Sequence, residues 1–228
     1  MRLLNVVGAA LVALAVAGAG EAQAQRTTAS AGYSSRGQGW SVLSGETVGQ
    51  GNNVFSAQVG WPGISASLLH GGTDRFDIGG RFAFNWGVQK MVEFTQPGIS
   101  LSALMKLNLL DTGRFNLGMT FEPGPFFIFS DFRSDVGLDL PVGLQLGVPV
   151  GNALMLSGGI DLPLWVTFGD NGGLWVPVLF GGGLEYFIDR NLSVNFKVRM
   201  GPTFSPNYGN RSDSFFSLES LVGIAVKL

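Results

Sequence analysis

From residue 39 onward the chain alternates between apolar and polar side chains with a period of two. Arg114 to Glu122 sets Phe115, Leu117, Met119 and Phe121 against Arg114, Asn116, Thr120 and Glu122. Leu192 to Met200 opposes Leu192, Val194, Phe196, Val198 and Met200 to Ser193, Asn195, Lys197 and Arg199. Arg75 to Trp86 sets Phe76, Ile78, Phe82, Phe84 and Trp86 against Arg75, Asp77, Arg81 and Asn85, and in Val136 to Val148 every even position is Val or Leu. Successive side chains of a strand point to opposite faces, so each segment predicts a two-faced β-strand.

A soluble sandwich or lipocalin-like barrel alternates in the same way, so segment length and face composition decide between the classes. The segments run longer than the ~5–6 residues usual in soluble proteins and match the ~9–11 that cross a bilayer obliquely. Their apolar faces are nearly unbroken, and their other faces carry Gly, Ser, Asn and full charges. That pattern predicts an all-β, closed, antiparallel up-and-down transmembrane barrel with lipid outside and polar groups within. Ten strands are expected, at 39–48, 54–69, 75–87, 99–110, 114–122, 137–149, 154–168, 174–187, 192–203 and 214–228, with eight as the alternative. A kink or bulge is expected at Pro62-Gly63, where the second segment slips phase. Short turns are expected at 70–74, 111–113, 150–153 and 188–191, and longer connections at about 87–98, 123–135 and 203–213. Residues 73–82 resemble 112–121, as though one hairpin unit is used twice.

The N-terminus fits an exported barrel. Met1-Arg2 gives a positive start, Leu3 to Ala19 is dominated by Leu, Val and Ala, and Ala22-Gln23-Ala24 offers small residues for cleavage after Ala24. Residues 1–24 are therefore expected to be a signal peptide, 25–38 a flexible Gly/Ser-rich lead-in, and 39–228 the barrel. With this export signal, the alternating hairpins and a strand at the chain end, the sequence resembles the small outer-membrane barrel families of Gram-negative bacteria, the OmpA-type transmembrane domain among them. The resemblance implies outer-membrane localisation, lipid as the surrounding partner, insertion by the barrel-assembly machinery and a monomeric state. The last residue is Leu228, where such families commonly end in an aromatic.

Composition narrows the chemistry. Charged residues make up 13% of the chain, against ~25% in soluble domains, and a formal net charge of −2 gives no footprint for nucleic acid. There is no cysteine, which excludes thiolate catalysis, disulfides and thiolate metal sites. One histidine, His70, and no calcium-loop spacing leave no expected metal or cofactor. His70 lies near Ser65 and Ser67 with no obvious orienting carboxylate except Asp74, and a turn histidine of this kind is a weak case for a catalytic triad. Gly181-Gly182-Gly183 falls mid-strand, where glycine serves curvature rather than a nucleotide.

The register sends Arg75, Asp77, Arg81, Lys106, Arg114, Glu122, Asp139, Asp161, Glu185, Lys197, Arg199, Glu219 and Lys227 into the lumen, with Lys197 opposite Glu219. A narrow barrel is about filled by its side chains, and buried charges need partners. The expected role is therefore non-enzymatic, structural or loop-mediated, with a largely salt-bridged lumen. A narrow passive channel for small polar solutes or ions is the alternative, and a lipid-modifying enzyme comes third. Trp86, Trp175, Phe168, Phe215 and Phe216 are expected in an outer aromatic girdle and Phe76, Phe115 and Tyr186 in an inner one. Phe126, Phe127, Phe129 and Phe132 mark either a hairpin extension or a contact loop.

Overall fold

The computed structural model describes residues 37–87, 97–129, 135–168, 172–208 and 211–228. The expected signal peptide, most of the lead-in and Phe132 lie outside them. The wall consists of β1 (Asn53–Trp61), β2 (Gly63–Thr73), β3 (Phe76–Asn85), β4 (Gly98–Asp111), β5 (Asn116–Phe121), β6 (Gly124–Ile128), β7 (Asp135–Val150), β8 (Leu154–Phe168), β9 (Leu174–Pro177), β10 (Leu179–Phe187), β11 (Leu192–Tyr208) and β12 (Arg211–Lys227). β5 and β6 are two parts of one strand, since both pair with β4 on one side and β7 on the other. β9 and β10 likewise share the place between β8 and β11. With β12 paired to β1, the result is a closed antiparallel barrel of ten strands. The two breaks do not open it: Glu122 N donates to Pro141 O at 3.0 Å, and Val178 N donates to Pro202 O at 2.9 Å.

The strand count matches expectation, but two of the strands are different ones. Residues 54–69 are not one strand. They belong to a hairpin, β1–β2, that reverses at Pro62, which has no N–H to extend a ladder. Gly60 just before it has φ +154°, and a side chain there would collide with the carbonyl of Ser220. Residues 39–48, expected as the first strand, form only a string of bends. A smaller shift occurs at 70–74, where His70 to Thr73 continue β2 and the chain turns at Asp74–Arg75.

The connections sort onto two ends. Turns at 74–75, 112–115, 151–153 and 188–191 share one end with the start of β1 and the finish of β12; the opposite, loop end carries the remaining connections and the Pro62 turn. The wall is uneven at the loop end. β1 and β2 have 9 and 11 residues, whereas β11 and β12 have 17 each. Trp61 pairs with Ser220, so β12 continues past the top of β1 with no strand against that edge among the described residues. The rim is therefore lowest over Trp61–Gly63.

Period-two alternation now has a direct spatial meaning. Phe55, Val59, Leu68, Phe82, Leu101, Phe180 and Val222 point outward and remain 41–62% exposed. Residues 37–52 run inside the barrel near the turn end, where Trp40, Ser41 and Val48 are fully buried. Local hydroxyls explain why this segment bends instead of extending: Ser41 Oγ accepts from Leu43 N and Ser44 N, and Ser44 Oγ accepts from Glu46 N. Gly45 lies against the wall so closely that a Cβ would meet the backbone of Leu117 and Gly118. Gly45→Val is therefore expected to unseat the segment at a cost of ~1–3 kcal/mol. Limited proteolysis should cut within 37–52 faster while heat-modifiable migration of the barrel persists; unchanged protection would contradict this seating.

Candidate functional site

The lumen is layered from the turn end to the loop end. The lowest layer is apolar. Trp40 meets Phe187 edge-on with ring centroids 5.2 Å apart, and Val48, Val54, Leu69, Leu104, Met155 and Ala225 close the cluster. Trp40 Nε1 donates to Arg190 O at 2.9 Å, which ties the segment to a turn.

Above it, three inward charges clamp the inner segment from facing walls. Glu185 on β10 accepts from Ser41 Oγ at 2.6 Å and Val42 N at 3.1 Å, while Ser193 Oγ donates to its second oxygen at 2.7 Å. Lys106 on β4 donates to Ser41 O at 2.7 Å, and Asp77 on β3 accepts from Val48 N at 3.0 Å. Asn108 Nδ2 adds a bond to Gly45 O at 2.9 Å. These are charge-assisted bonds to backbone and hydroxyl, a stronger class than neutral pairs.

The third layer is a belt of ion pairs and amides. Arg81 reaches Glu122 at 2.9 Å, Gln58 at 3.0 Å and Ser65 at 3.2 Å. Arg199, fully buried, donates to Asp161 at 3.0 Å and Gln145 at 2.5 Å, and Gln145 donates in turn to Asp161. Lys197 pairs with Glu219 at 2.5 Å, although they are not direct cross-strand partners: Lys197 stands opposite Leu221, and Glu219 opposite Arg199.

An aromatic layer completes the lumen toward the loop end. Trp165 and Trp175 stack with centroids 4.7 Å apart and planes 7° apart, Phe126 meets Trp165 edge-on, and Phe215 leans on Trp175. Between this layer, the belt and Val42–Ser44 of the inner segment lies a cavity of about 160 Å³.

Of the charges expected inside, Asp77, Arg81, Lys106, Glu122, Asp161, Glu185, Lys197, Arg199 and Glu219 take part in these layers. Asp139 lines the cavity from β7, and Lys227 stands half-buried at the turn end of β12. Arg75 is half-buried and Arg114 exposed. They share the inward parity but sit in turns, just beyond the ends of the strands. Trp175 and Phe215, expected in an outer girdle, belong to the interior stack. Phe126 and Phe127 are on β6, one facing in and the other out, and Phe129 follows exposed, so this stretch extends its hairpin. Trp165 was not anticipated, although it shares parity with Asp161. His70 points outward and bonds Asn53 at 2.9 Å, whereas Ser65 and Ser67 face inward to Arg81 and Ser56. The wall therefore separates the histidine from both serines.

No family model matches the chain, and comparison with curated proteins finds no match.

Two expectations follow from the charges. Arg199→Met strands Asp161 in the lumen and should destabilise the barrel by ~3–5 kcal/mol in urea unfolding, with the Asp161→Asn double variant recovering part of it; an equal loss in both would deny the pairing. Glu46, on the inner segment, has its carboxyl pushed up to about 7 by burial, with Asp111 adding repulsion, and its Oε2 has no hydrogen-bond partner among the described residues. The folded state thus holds a proton that the unfolded chain releases near 4.5. Stability from this group is complete below that value and is lost as pH rises through about 7. Glu46→Gln should flatten this decline in unfolding midpoints between pH 4.5 and 7; an unchanged slope would count against a buried, protonated Glu46.

Proposed function

We propose that this chain is an integral outer-membrane protein of the small-barrel type whose lumen is sealed by its own N-terminal segment. Its role is structural or carried by its loop end, without chemistry of its own and without steady conduction. The observation that carries this reading is residues 37–52, held across the lumen by Asp77, Lys106 and Glu185 from facing walls. A conducting pore needs a continuous wet path, and here the turn end is closed by Trp40, Val48, Met155 and Phe187. The outward belt of exposed Phe, Leu, Ile and Val favours lipid as its surroundings, because water-facing apolar area of this extent is rare on soluble monomers. Localisation by residues 1–24, delivery by the assembly machinery and a monomeric state belong to the same reading.

Single-channel recording in planar bilayers tests it. The intact chain should be electrically silent, and a chain lacking residues 37–52, shown folded by its heat-dependent gel shift, should give reproducible steps. The Gly45→Val chain offers a milder opening of the same path and should give intermittent steps. Steady conductance of the intact chain equal to that of the deletion would overturn the sealed-lumen reading.

A further inference from the structure

The cavity under the aromatic layer is two-faced. Phe126, Ile128, Pro163 and Trp165 give it an apolar side, while Arg81, Glu122, Asp161, Lys197 and Glu219 give it a polar side. Its lining includes Pro62 and Gly63 of the β1–β2 hairpin, where the rim is low. Its floor is the inner segment at Val42, Leu43 and Ser44. At about 160 Å³ it is comparable to an engineered apolar cavity of about 150 Å³ that takes up benzene. Unlike that cavity, it offers hydrogen-bonding groups on one side, the arrangement typical of small-molecule sites.

The belt also limits the chemistry of an occupant. Each basic group already has a carboxylate: Arg81 has Glu122, Lys197 has Glu219 and Arg199 has Asp161. Asp139 brings a further carboxylate to the cavity wall. An incoming anion would find each cation of the belt already held by a carboxylate, and taking a charge into such a site without a partner costs several kcal/mol. The same groups present many acceptor oxygens, which suit a donor.

We propose that this cavity is a binding site for a small, non-anionic amphiphile: an apolar body about the size of one ring, carrying a hydrogen-bond-donating head such as a hydroxyl. The ring packs against Phe126 and Trp165, and the head donates to the carboxylate and amide oxygens of the belt. The site is blind, since the inner segment closes it below, so it binds rather than conducts.

Titration calorimetry on the full chain in lipid nanodiscs tests this with benzyl alcohol and benzoate, using empty discs to subtract partitioning. Benzyl alcohol should bind saturably, with benzoate weaker by about tenfold or more. Ala83 and Ser100 line the cavity from neighbouring strands, and neither belongs to the belt. Ala83→Phe and, separately, Ser100→Leu should fill the space and weaken benzyl alcohol by about tenfold, with the heat-dependent gel shift retained. Non-saturable uptake by the intact chain, or undiminished binding in both folded variants, would overturn the site. Equal affinity for benzoate would overturn the assignment of its head group.

Discussion

Pairing β12 with β1 is the constraint on which the rest of the molecule depends. Once the ladder closes, no wall strand has a free choice of face, and every second side chain must enter a lumen only ten strands around. Large apolar groups can face outward together, but the inward set has to satisfy its own charges. The belt does so with Arg81–Glu122, Lys197–Glu219 and Arg199–Asp161, helped by amides that bridge where carboxylates do not reach. Lys197–Glu219 is diagonal across the β11–β12 ladder, and Arg199 turns away from its direct partner to Asp161. Reach along the lumen, more than strict cross-strand opposition, selects the partners.

A wall satisfied in this way still encloses space, and the chain fills the turn end with part of itself. Residues 37–52 offer what a lumen needs: a tryptophan and valines for the apolar floor, and backbone carbonyls and N–H groups for the charges above. Asp77 and Lys106 stand opposite each other on the β3–β4 ladder, and with the segment in place these two and Glu185 become its anchors. The unfilled remainder lies at the loop end, where the wall is lowest and the aromatic stack narrows the lumen.

How much of this was legible in the sequence follows from which forces are local. Strand faces are local: the register follows from alternation, so the inward set from Asp77 to Glu219 could be read directly. Turn chemistry is nearly local, and Pro62-Gly63 was marked as a break, although its consequence is a reversal and not a bulge. The inner segment was not legible. Trp40 to Val48 alternates poorly, which weakens it as a strand without saying where it goes, and what makes it bend is the pair Ser41 and Ser44 together with Glu185, which lies 144 residues away from Ser41. The interior aromatics show the same limit. Trp175 shares parity with Pro177 and Leu179, but placing it in the lumen needs its contact with Trp165 across the β8–β9 ladder. Arg75 and Arg114 lie in turns for a smaller reason, since parity does not say where a strand stops.

The central claim is that the chain's own residues 37–52 occupy the lumen. The natural absence of cysteine allows a clean measurement with single engineered thiols, because Ser44 is buried in the seated segment whereas Gln50, near the end of the same segment, is exposed. In the folded barrel the thiol of Ser44→Cys should resist a water-soluble maleimide and react only once the chain is unfolded, while that of Gln50→Cys should react at once. If instead Ser44→Cys reacts in the folded barrel as readily as Gln50→Cys, the segment is not seated in the lumen and the account fails.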